Sequence, residues 1–146
     1  MKKRISLILK EASELKTVNE RIAHLHKYDS LPLQGVLKVM FDNDIQLSLP
    51  AGSPPYTPNV KLEAELDERL YADWKKLYIF FEASSPNIKK VKREQLFIEF
   101  LEGLHPEDAE LIIAMKDGKS PYQYLTPSVA RKAYPALFPN FLETAT

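Results

Sequence analysis

The sequence predicts an all-α fold, a single compact bundle of about six or seven helices carrying one long proline-rich loop. Three observations predict it. Only four glycines stand against eleven prolines, and β-hairpins need glycine in their turns, whereas proline suits helix starts and loops. Apolar residues recur three and four positions apart over most of the chain, the spacing of one helix face. Hydroxyl or acidic residues followed by proline or glutamate mark several helix starts. A chain of 146 residues, 45% of them apolar, suits one domain spanning residues 1–146.

Residues 5–15 place Ile5, Leu7, Ile8, Ala12 and Leu15 on one side of a first helix. Thr17 with Glu20 forms a capping box that starts a second helix, running to about Tyr28. Asp29 and Ser30, with Pro32 in the first turn, open a third helix whose Leu33, Val36, Leu37, Met40 and Phe41 share a face. From Asp42 to about Leu66 the pattern breaks, with Pro50, Gly52, Pro54, Pro55 and Pro58 close together, which predicts an extended loop, either functional or a stiff connector. Residues 67–83 should form the strongest and most central helix, with Leu70, Trp74, Leu77, Tyr78 and Phe81 on one stripe. Asn87 should cap the next helix, which carries Val91, Leu96, Phe97, Phe100, Leu101 and Leu104. Pro106, with Glu107, Asp108 and Glu110 near the start, opens another that ends near Lys116, Asp117 and Gly118. Thr126 and Pro127 start a short final helix that stops before Pro135.

The composition narrows the chemistry. The chain has no cysteine, so disulfides, thiolate zinc sites and cysteine nucleophiles are excluded, which suits a reducing compartment. No stretch approaches the roughly 20 apolar residues of a membrane helix, and no signal peptide is apparent: a soluble protein with no membrane partner is expected. Twenty basic and twenty acidic residues cancel, so any attraction to a polyanion must come from local charge segregation. His24 and His26 are two positions apart and point in different directions from a helix, so they cannot share a metal. His105 precedes Pro106 and suits a helix cap. With no defensible catalytic triad, phosphate loop or acidic metal pair, the protein is expected not to be an enzyme and to need no cofactor.

Two basic segments stand out. Lys89, Lys90, Lys92 and Arg93 place four charges at a helix start, the end where the helix dipole disfavours cations. Lys116, Lys119, Arg131 and Lys132 are interleaved with Tyr122, Gln123, Tyr124 and Tyr134, a mixture that suits phosphate contacts but equally a half-buried core edge.

The run from Ala109 to Lys116 and Asp117, then Thr126 to Phe138 with Ala130, Arg131, Lys132, Ala133, Tyr134 and Pro135, resembles the N-terminal DNA-binding domain of ATP-dependent DNA ligases of the phage T4 type. The Lys27, Tyr28, Asp29 junction and the helix through Val36, Leu37, Val39 and Phe41 are similar too. The chain also resembles a family of small uncharacterised proteins of T4-like phages, including cyanophages. These likenesses imply an all-α module that contacts the backbone of duplex DNA, in the cytoplasm of an infected bacterium. Gly118 to Tyr124 makes a longer loop than in the ligases, and Ala136 replaces a glycine; the lysine-containing adenylation motif is missing, so ligation is not implied. Two functions stay open. One is a non-catalytic DNA-binding or DNA-enzyme accessory module using Lys116, Lys119, Arg131 and Lys132, extended by Lys89, Lys90, Lys92 and Arg93. The other is a protein-interaction module acting as an adaptor, a structural component or an inhibitor of a host protein, with a replication, repair or host protein as its partner.

Overall fold

The computed structural model describes residues 2–42, 47–61, 63–80 and 86–138, and these contain helices and no strand. Three helices open the chain: α1 (Ile5–Glu14), α2 (Val18–Lys27) and α3 (Leu31–Phe41). After a proline-bearing extended segment come two short helices, α4 (Glu63–Leu66) and α5 (Arg69–Asp73), and a 3-10 helix, Trp74–Phe80. The remainder is α6 (Lys90–Glu102), α7 (Pro106–Lys116), α8 (Pro127–Ala133) and a 3-10 turn, Pro135–Leu137. None of the described helices is long and apolar enough to cross a membrane.

Local chemistry sets most of the boundaries. The Thr17 hydroxyl accepts from the Glu20 amide and donates to its carboxylate, Ser30 caps α3 through the Leu33 amide, and Thr126 caps α8 through the Val129 amide. The ring of His105 accepts from the Glu107 amide at 3.0 Å and starts α7. Asn87 does not cap α6: Lys89 occupies the cap position, without a side-chain bond. Gly118, at φ +73°, ends α7 in the left-handed region that favours glycine.

The core is one cluster. Ile5, Ile8, Leu9 and Ala12 of α1, Leu33, Val36 and Leu37 of α3, and Leu111, Ile112, Ile113 and Met115 of α7 all belong to it. Helix α7 is apolar on nearly every side and buried on nearly every side. It takes the central place expected of residues 67–83.

That stretch is broken rather than continuous. The 3-10 segment advances three residues per turn, so Leu77 and Phe80 are buried together while Tyr78 turns out to 38% exposure. Trp74 is half-buried, and Phe81 lies outside the described residues. The indole of Trp74 lies on Gly35 of α3, where a Cβ would come within 2.3 Å of two ring carbons. Phe80 meets Phe97 edge to face, with ring centroids 5.1 Å apart.

Candidate nucleic-acid interface

Helices α6 and α7 form an antiparallel hairpin. Lys116, at the end of α7, lines the same cleft as Glu94, Phe97 and Ile98 in the second and middle turns of α6. The first basic segment and the Lys116 and Lys119 part of the second therefore reach the same end of this hairpin. Lys90 stands about 6 Å further along the axis than Glu94, at 1.5 Å per residue, and the Lys119 amide closes back on the Ala114 carbonyl at 2.9 Å.

Lys89, Lys90, Lys92 and Lys119 are exposed. None of them forms an ion pair with a carboxylate among the described residues. The first turn of α6 holds no acid and its cap position makes no side-chain bond, so dipole and lysines add their positive potential.

Three other candidates are engaged inside the structure. Arg93, 4% exposed, turns inward and its Nε donates to the Ile79 carbonyl. The side chain of Lys116 is 2% exposed; Nζ donates to the Pro50 carbonyl at 2.7 Å and pairs with Asp117 at 2.5 Å. The Lys116 ammonium, helped by the Gly52 amide, holds the Asp117 carboxyl below its usual range. Arg131 is also buried and so is not placed for the phosphate contact expected of it beside Lys132, because α8 packs against α2, α3 and the 3-10 turn and leaves this short helix little free surface. Lys132 is exposed, on a helix that packs chiefly against α2, α3 and the 3-10 turn rather than against α6 and α7.

The tyrosines are mostly structural. Tyr134 donates to Asp29 at 2.8 Å, Tyr122 is half-buried with its hydroxyl pushed up to about 12 by desolvation, and Tyr124 is stacked under the Arg21 guanidinium. The histidines bond separately: His24 to Glu11 at 3.3 Å, His26 to the Ala133 carbonyl at 2.7 Å.

A buried polar cluster went unread in the sequence. Asp108, fully buried, accepts from the Ser6 amide at 3.0 Å and so caps α1 from α7. Its second oxygen has no hydrogen-bond partner among the described residues. Arg4 lies beside it, bonded to Ser6 Oγ, Asp67 and Glu107. Burial pushes the Asp108 carboxyl up to about 6, against the opposing pull of the Ser6 bonds and Arg4. In the sequence, Asp108 looks like any carboxylate in a helix's first turn.

The fold and surface define an all-helical module with a buried central helix and one cationic end. The chain belongs to the family of unknown function DUF6433, whose model matches residues 8–120. That span contains Lys89, Lys90, Lys92 and Lys119 and leaves α8 outside. No curated protein and no solved structure matches the chain.

Proposed function

We propose that the protein is a non-catalytic accessory module that holds duplex DNA by its phosphates, whatever the base sequence, across the end of the α6–α7 hairpin. The observation that carries this function is the cluster of Lys89, Lys90 and Lys92, exposed and without carboxylate partners among the described residues, on a helix start with no cap. Such a placement lowers helix stability, and a bound polyanion would offset that cost. Lys119 belongs to the same surface, and Lys132 is a separate, peripheral contact. Phosphate contacts position a protein without reading bases.

The test is a fluorescence-anisotropy titration with nicked, intact and single-stranded DNA at several salt concentrations. Four released counterions should give a slope of roughly 3 to 4 in log affinity against log salt. Replacing Lys89, Lys90, Lys92 and Lys119 by glutamate should abolish binding. Absence of binding by the wild type at about 50 mM salt, where the electrostatic contribution is strong, would sink the proposal.

One observation favours the protein-interaction alternative. Val91 is 77% exposed between Lys90 and Lys92, and a phosphate backbone has no use for an apolar side chain there. A protein partner with an acidic rim around an apolar contact would fit both features.

A further inference from the structure

We propose that residues 49–59 form a displaceable strap, held over the α6–α7 groove by two carboxylate latches, Asp117 on Gly52 and Glu102 on Thr57, and that the strap masks Lys116. Both Asp117 oxygens accept from the Gly52 amide at 3.2 Å. Glu102 Oε2 accepts from the Thr57 amide at 2.8 Å, and the Glu102 carbonyl accepts from Asn59 Nδ2 at 2.9 Å. The latches sit at opposite ends of the hairpin, so the strap runs along the groove between them.

Beside the latches, the Lys116 ammonium on Pro50, Asn59 on the Glu102 carbonyl and the half-buried side chains of Leu49 and Tyr56 also hold it. Pro50, Pro54, Pro55 and Pro58 have no amide hydrogen to donate, and the Tyr56 amide bonds locally to Pro54. No residue from 47 to 61 is buried, so lifting the strap removes no fully buried side chain from the core. Between the strap and α6 lies a half-open cleft of about 240 Å³ lined by Leu49, Pro54, Phe97 and Ile98 among others, so the strap is not packed flush against α6. A segment attached by a few polar contacts and by side chains that are at most half-buried belongs to the low-stability end of a structure. Gly52, at φ +88°, supplies the left-handed kink at the Asp117 latch, where a side chain would be strained.

The consequence falls on Lys116. Its ammonium is covered because Pro50 accepts from it, and lifting the strap frees it at the end that carries Lys119 and Lys89 to Lys92. Only this step, the gain of a fifth cation, rests on the DNA-binding proposal.

The experiment needs no DNA, so it stands whatever that proposal's fate. The full chain is labelled with an amine-acetylating reagent, and acetylation of Lys116 relative to Lys119 is read by mass spectrometry; amide exchange of residues 51–57 is followed in parallel. In the wild type, Lys116 should be strongly protected. In Asp117→Ala combined with Glu102→Ala, its labelling should approach that of Lys119, and Gly52 and Thr57 amides should exchange at least about tenfold faster while α7 amides are unchanged. Gly52→Ala leaves α6 and α7 intact and should act in the same direction through strain alone. If Lys116 stays protected in both variants, the strap is not held by these latches and the proposal falls. If Lys116 is already as reactive as Lys119 in the wild type, there is no mask, and the proposal falls equally.

Discussion

Replacing Asp108 by asparagine should change how stability depends on pH. Asp108 is fully buried against Ser6 and Arg4, with Tyr71 and Tyr122 close enough to feel its charge and His105 on its own helix. Its carboxyl is raised from 3.8 to about 6. The folded state therefore holds this proton more tightly than the unfolded chain does. The stability so gained is present in full below pH 3.8 and is lost as pH rises through 6, a loss of about 3 kcal/mol. Glu11, Asp29 and Asp117 are held low by their partners and act in the opposite sense, so the wild-type profile mixes both signs. The difference between variant and wild type isolates Asp108. Asparagine keeps an acceptor for the Ser6 amide and cannot ionise. Urea unfolding at pH 4, 5, 6 and 7.5 should show the variant gaining about 2 to 3 kcal/mol on the wild type across that range. A difference that stays constant with pH would refute the buried, proton-holding carboxyl.

Two further outcomes follow from packing. Gly35→Ala should cost about 1 to 3 kcal/mol by forcing the Trp74 indole off α3, with a shift in fluorescence from the chain's one tryptophan; an unshifted spectrum and melt would contradict that contact. Lys132→Ala should change stability by no more than about 0.5 kcal/mol, whereas Arg131→Ala should cost at least about 1 kcal/mol because its side chain is buried; equal thermal melts would place Arg131 back at the surface.

The helical class and most helix starts were legible in the sequence because capping and amphipathic spacing are local. Thr17, Ser30, His105 and Thr126 each cap through residues two or three positions away. What depends on tertiary contacts was not legible. The stripe from Leu70 to Phe81 fits a period of 3.6, but Trp74 settling on Gly35 goes with a 3-10 winding that sends Tyr78 outward. Lys116 beside Asp117 looks like a solvated pair, and nothing nearby in sequence says that Pro50 and Gly52 will lie over it. Arg93 and Arg131 read as members of basic runs, yet each run has one residue aimed at the core. The remainder, Lys89, Lys90, Lys92, Lys119 and Lys132, is exposed.

The tertiary cap on α1 also bears on the order in which the molecule can form. Lys3, Arg4 and Ser6 find their partners in Tyr71, Asp67, Glu107 and Asp108, between 63 and 103 positions later. On the ribosome, α1 emerges well before any of them, with its leading amides open and its apolar face without α7. Closing a loop of that length is entropically dearer than closing a hairpin, and contacts so distant in sequence slow folding. Helices α2 and α3, each with a cap of its own, can take shape during synthesis, while α1, made before them, must wait for α7.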